Sequence, residues 1–130
     1  MNLLSRSCLA KLDKTEVKVA AERGKVTATA QLFGAGTLKF PLNFRPFEVI
    51  EVEAVAKMFG GDCSRAVMSA EYFRRGEKFC PEDKGGYLVD KDNYLEQKMR
   101  FFVPFGADEA YFKLTLEGGA SVSFLTLTVN

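Results

Sequence analysis

No histidine and no tryptophan occur among the 130 residues of this chain. Without histidine there is no Ser-His or Cys-His nucleophile pair, no imidazole metal ligand and none of the commonest general base. Without tryptophan, any stacking platform has to be built from Phe or Tyr. Cysteine is sparse: Cys8, Cys63 and Cys80 are an odd set with no CxxC spacing. At least one of them is free, one disulfide stays open, and a structural zinc site does not fit. No glycine-rich nucleotide fingerprint is found. No run approaches the roughly 20 apolar residues of a membrane helix.

An excess of charge is missing too. Eighteen Lys and Arg face seventeen Asp and Glu, a net +1, whereas a nucleic-acid-binding domain shows a basic excess. The short basic runs Arg74-Arg75 and Lys98 to Arg100 read as solvated surface. Neither a nucleic-acid nor a membrane partner is expected. The opening MNLLSRSCLAKL carries Arg6 and no long apolar core, so it does not read as a signal peptide. No localisation follows from it.

What is present is period-two alternation. Hydrophobic residues make up 47% of the chain, enough for the core of one domain spanning 1–130. From the C-terminal end, Met99, Phe101 and Val103 alternate with Arg100 and Phe102 up to Pro104. Ala110, Phe112, Leu114 and Leu116 alternate with Tyr111, Lys113, Thr115 and Glu117. Gly118-Gly119 supplies a turn, and Ser121 to Val129 is rich in Val, Thr, Phe and Leu. This is the pattern of strands with one buried face, read here as an antiparallel meander.

Further strands are expected over 16–21, over 26–32 and over 47–58, the last with Ser64 to Phe73 as its antiparallel partner. TLKFPLNFRPF reads as an edge strand or a bent passage between sheets, because proline lacks a ladder donor. Residues 1–14 fit a helical stripe, a flexible segment or an edge strand. Residues 74–95 are the most polar stretch, an irregular connection with one possible short strand at Tyr87-Leu88-Val89. Connections of that length are often functional. Eight to ten short strands with glycine turns and little helix imply an all-β, antiparallel two-sheet jelly-roll sandwich.

The closing segment resembles the end of the galactose-binding-domain-like jelly rolls, the fold of many carbohydrate-binding modules. The residues that carry the likeness are Phe102-Val103-Pro104-Phe105-Gly106-Ala107, the strand Ala110 to Leu116, Gly118-Gly119 and Val122-Ser123-Phe124. Upstream, Pro46-Phe47 followed by IEVEAVAKM resembles the family's entry to its long core strand. The likeness covers roughly 44–129. Two departures are visible: Leu125 and Thr126 stand where many members have an acidic residue, and no tryptophan is available for a sugar platform.

The resemblance implies a non-catalytic carbohydrate-binding module, with a glycan on a concave sheet face and adjoining loops. Tyr87, Tyr94 and Tyr111 are the candidate ligand-binding rings, each with an ordinary half-buried surface role as the alternative. Arg65, Arg74 and Arg75 are the candidate polar partners. Asp90, Asp92 and Asn93 place three oxygen side chains within four residues, a polar turn or a calcium ligand set of the kind such modules often hold. No other cofactor is expected. Glu51 and Glu53 lie two apart on one strand, about 6.5–7 Å at the usual rise; catalysis by them is weighed against a solvated face, which is preferred. The competing reading is a structural or protein–protein interaction sandwich, accessory to a larger enzyme or surface assembly. An apolar edge over Leu38 to Phe47 would take an added strand or a second copy.

Overall fold

A computed structural model of the chain describes residues 1–30, 35–45, 47–78, 80–87 and 93–130. One short helix, α1 (Arg6–Ala10), is capped by Ser5, whose hydroxyl accepts the Cys8 N–H at 3.3 Å. The strands are β1 (Asp13–Thr15), β2 (Val17–Glu22), β3 (Lys25–Ala30), β4 (Gly36–Leu42), β5 (Val49–Phe59), β6 (Arg65–Arg74), β7 (Glu77–Lys78), β8 (Asp83–Tyr87), β9 (Leu95–Phe102), β10 (Glu109–Glu117) and β11 (Ser121–Val129). Two of the three readings of the first 14 residues are realised: the segment contains α1 and a bridge from Asn2 to Thr128, and the edge strand β1 begins at its end.

The strands form two antiparallel sheets. One runs β1-β4-β10-β6, with β7 and β8 both paired to β6; the other runs β2-β3-β11-β5-β9. The alternation read from the sequence sorts the faces correctly. Leu38, Phe40, Met68, Phe112, Leu114 and Leu116 of the first sheet meet Ile50, Val52, Phe101, Val122, Phe124 and Leu127 of the second, all buried. Each such side chain, taken from water, contributes about 1.5–3 kcal/mol.

Three connections depart from the expectation. The closing strands are not a meander: β9 and β11 lie in the five-stranded sheet and β10 in the six-stranded one. Likewise β5 and β6 do not pair with each other, and the Gly60-Gly61 stretch carries the chain from one sheet to the other. Alternation reports which side of a strand is buried, and it is silent on which sheet holds the strand. The third concerns β4, which is not an open edge over Thr37 to Lys39. It pairs with β10 along its length and with β1 at Thr37 to Lys39, so Leu38, Phe40 and Leu42 are buried. Pro41 lies past β1, where the missing donor costs nothing.

True hairpins occur where arginine-glycine pairs take positive φ: Arg23 and Gly24 (45° and 77°) between β2 and β3, and Arg75 and Gly76 (54° and 80°) between β6 and β7. Positive φ at both central residues is the geometry of a type I′ turn. Leu88 and Val89 of the expected short strand lie outside the described residues. The described part of 74–95 is more ordered than its polarity implies, since β7 and β8 both join β6. Gly85 permits this: a Cβ there would lie 2.3 Å from Met99 Sδ. All three cysteines are free.

Candidate functional site

The outer face of the six-stranded sheet is built from every second residue of β4, β10 and β6. In register across it lie Lys39, Lys113 and Ser69; then Thr37, Thr115 and Val67; then Pro41, Tyr111 and Glu71. At its centre Glu71 is buried, although it lies on the outward side. Lys113 Nζ donates to Glu71 at 2.5 Å and reaches Glu82 at 3.0 Å. Lys39 Nζ stands 2.9 Å from Glu71 Oε2, and Lys78 holds Glu82 at 3.0 Å. Two carboxylates therefore share three ammonium groups.

Burial acts to raise the pKa of both acids, but the lysine hydrogen bonds outweigh it. Glu71 is held below the usual carboxylate range and Glu82 is brought down to about 2. For Lys113, burial acts downward, and its bonds to Glu71 and Glu82 lift it above the ordinary lysine value.

Beside this cluster runs a groove of about 310 Å³, lined by Arg65, Val67, Ser69, Glu82, Lys84, Lys113, Thr115 and Glu117. Arg65 and Glu117 pair loosely at 3.5 Å on its rim. On its floor the Ser69 hydroxyl is buried, with the residue only 2% exposed, and it has no hydrogen-bond partner among the described residues. At the other end of the face Tyr111 and Phe73 pack edge to face, ring centroids 5.4 Å apart. The Tyr111 hydroxyl donates to the Glu109 carboxylate, which with burial pushes the phenol up to about 12.

The five-stranded sheet presents a different outer face. Thr27, Ser123 and Lys57 lie in register across β3, β11 and β5. Tyr94 covers Ser123, its hydroxyl 3.1 Å from Ser123 Oγ. Lower on the same sheet, Glu51 pairs with Arg100 at 2.5 Å and Glu53 with Lys98 at 3.4 Å. Both are ion-paired residues of a solvated face, as the preferred sequence reading had them.

No family model matches the chain, and no curated protein matches it. Solved structures do. The CBM22-1 xylan-binding domain of Paenibacillus barcinonensis Xyn10C superposes with a TM-score of 0.68 at 14% identity, over 92% of this chain and 84% of that one. A family 29 carbohydrate-binding module superposes at 0.67 and 14% identity, over 92% and 75%. Two longer proteins also match. One is the CBM22-1–GH10 portion of Clostridium thermocellum xylanase 10B, with a TM-score of 0.74 at 10% identity over 91% of this chain. The other is the enzymatically active domain of bacteriophage CBA120 tailspike protein 4, at 0.69 and 12% over 92%. The fold is the galactose-binding-like jelly roll. The chain spans only 25% of that xylanase and 19% of that tailspike, so the likeness concerns one module of each.

Within the jelly roll, the residues singled out from sequence are scattered. Arg65 lines the groove, and Tyr111 lies on the same face toward its other end. Arg74 ends β6, roughly 30 Å from Arg65 at the usual strand rise, and Arg75 opens the turn that follows. The Arg75 backbone N–H is taken by Asp108 at 2.8 Å. Tyr87 ends β8 opposite Val67, beside the groove. Tyr94 belongs to the opposite sheet. Asp90 and Asp92 lie outside the described residues, and Asn93 is an exposed bend residue. Among the described residues no acidic, cysteine or histidine cluster fit for a metal ion is found.

Sequence reasoning missed Ser69, Glu71, Lys84, Lys113 and Glu117. A signal was available: a glutamate inside the apolar run VMSAEYF, and Tyr111, Lys113, Thr115 and Glu117 all at even spacing on one strand face.

Proposed function

We propose that this jelly roll is a non-catalytic carbohydrate-binding domain, and that the glycan lies along the outer face of the six-stranded sheet. The observation that carries this is the Ser69 hydroxyl, buried and without a partner among the described residues, beside an open polar groove. Leaving a buried hydroxyl unpaired costs about 1–3 kcal/mol, and a ligand hydroxyl that reaches it through a shift of the neighbouring side chains would remove that cost. The surrounding side chains both donate (Arg65, Lys84, Lys113) and accept (Glu82, Glu117), which suits sugar hydroxyls that do the same. Tyr111 and Phe73 offer ring edges further along the face. The solved modules of like fold, one of them described as xylan-binding, support the class of ligand.

Native affinity electrophoresis in gels containing xylan, glucomannan, galactan or soluble β-glucan tests the reading. Retardation in at least one gel is expected, lost in Ser69→Val. Mobility unchanged in every gel would overturn it. Release of reducing ends from a retarding polysaccharide would overturn the non-catalytic part alone.

A protein-interaction role is favoured by a separate observation. Phe47, Phe102 and Phe105 cluster at one end of the sandwich, 59%, 49% and 74% exposed. The Phe47 ring lies 5.6 Å from Phe105 and 5.9 Å from Phe102. Phe47 also holds a φ of 62°, a conformation that costs a bulky residue about 1–2 kcal/mol. Light scattering over a concentration series tests self-association. A rise in mass that Phe105→Ser abolishes supports it, and a constant monomer mass removes it.

A further inference from the structure

The outer face of the five-stranded sheet holds two cations drawn to one aromatic ring. Lys25 Nζ lies 5.5 Å from the centroid of Tyr94, and Lys57 Nζ lies 5.3 Å from it. Lys25 is on β3 and Lys57 on β5, so they reach Tyr94 from either side of β11. Lys57 is also 4.9 Å from the ring of Phe59, which is partly exposed at the next outward position of β5.

Elsewhere on the two outer faces, Lys39, Lys78, Lys98 and Lys113 each touch a carboxylate. Lys25 and Lys57 touch none among the described residues. On the same face Glu53 and Glu96 are both engaged by Lys98, at 3.4 and 3.5 Å. Glu22, across the hairpin from Lys25, makes no ion pair with it. The face is otherwise rich in hydroxyls: Tyr94 with Ser123, and Thr29 with Ser121 at 2.9 Å. Ser123 is buried beneath the phenol although it points outward, so Tyr94 is seated and its edge has a fixed position.

We propose that Lys25, Lys57 and Tyr94 form a second ligand site, for an anionic sugar bearing a carboxylate or a sulfate. The anion lies between the two ammonium groups. The hydroxyl row of Ser121 and Thr29 and the ring of Phe59 take the sugar's polar edge and its apolar face. Charge-assisted contacts of this kind are about twice as strong as neutral ones, and a pyranose ring needs one aromatic neighbour for its C–H face. The site lies on the sheet opposite the Ser69 groove and stands independently of it.

Isothermal titration with three probes decides the matter: an oligogalacturonate (carboxylate), a sulfated disaccharide (sulfate) and inorganic sulfate alone. The full chain is used, as wild type, as Lys25→Gln/Lys57→Gln, and as Lys14→Gln for an exposed cation removed from β1 of the other sheet. Binding of one of the two sugars is expected, weakened at least tenfold by the double substitution and by added salt, and retained in Lys14→Gln. Which sugar binds identifies the anion. Circular dichroism confirms that the double variant is folded. No heat with either sugar overturns the proposal, as does binding that survives the double substitution or binding that inorganic sulfate matches. Ser69→Val leaves this site untouched, so failure of the groove and failure of this site are separable.

Discussion

Replacing Lys113 with methionine removes the ammonium that stands between Glu71 and Glu82 while keeping the aliphatic stem. Lys113 reaches the two acids at 2.5 and 3.0 Å. At an effective dielectric of about 20, a charge pair at about 3 Å has a gross attraction of roughly 5–6 kcal/mol. Most of this is offset by the water that Lys113 gave up, its side chain being only 13% exposed. Neither acid is left alone, since Lys39 stays 2.9 Å from Glu71 and Lys78 stays 3.0 Å from Glu82. The net loss is therefore below the 3–5 kcal/mol of a stranded buried charge and near that of one charge-assisted hydrogen bond, about 2 kcal/mol. For a chain of this size that corresponds to a melting temperature lower by roughly 6–10 °C.

Acid dependence distinguishes this from a packing effect. Both carboxylates have depressed pKa values in the folded state, Glu82 about 2. Their contribution is fully present above the unfolded value of about 4.3 and is lost as pH falls through the folded values. The gap between wild type and Lys113→Met, followed by far-ultraviolet circular dichroism, should be full at pH 7 and close toward pH 2. Equal melting at pH 7, or a gap that persists unchanged into acid, would refute the charge argument.

Three other substitutions probe separate features. Ser69→Ala deletes a buried hydroxyl without a partner among the described residues, so urea unfolding should show a gain of about 1 kcal/mol; a loss would mean the hydroxyl is satisfied. Gly118→Ala places a Cβ 2.4 Å from the Cys63 carbonyl oxygen at a φ of 64°; a loss of about 2 kcal/mol or more is expected by the same assay. Phe47→Gly relieves positive φ but adds freedom to the unfolded chain, so stability within about 1 kcal/mol of wild type is expected despite the loss of a large aromatic residue.

Strand positions were legible because burial on one side of a pleat leaves a period of two in the residues. VIEVEAVAKM and AYFKLTLE show it plainly, and both became strands with the expected faces inward. β8 was not legible. Its DKGGY has no apolar alternation, and it is a strand because Gly85 lets β8 close over Met99. Among the described residues, the exposed Phe47, Phe59, Phe102 and Phe105 were not distinguishable by type from the buried Phe101, Phe112 and Phe124. Only Phe102 carried a signal, by alternating with Phe101.

By itself the sequence determined a two-faced β chain: which side of each long strand avoids water, where glycine breaks the runs, and that imidazole chemistry is absent. Local hydrophobic patterning suffices for that, because the period belongs to single strands. Only the tertiary structure decided how strands are shared between sheets, and with that which outward side chains meet. Tyr111 and Arg65 came to lie on one face, Tyr94 on the other, and Lys25 found Lys57 from a strand more than 20 residues away. Crossing from sheet to sheet depends on contacts distant in the chain, and no local period records them.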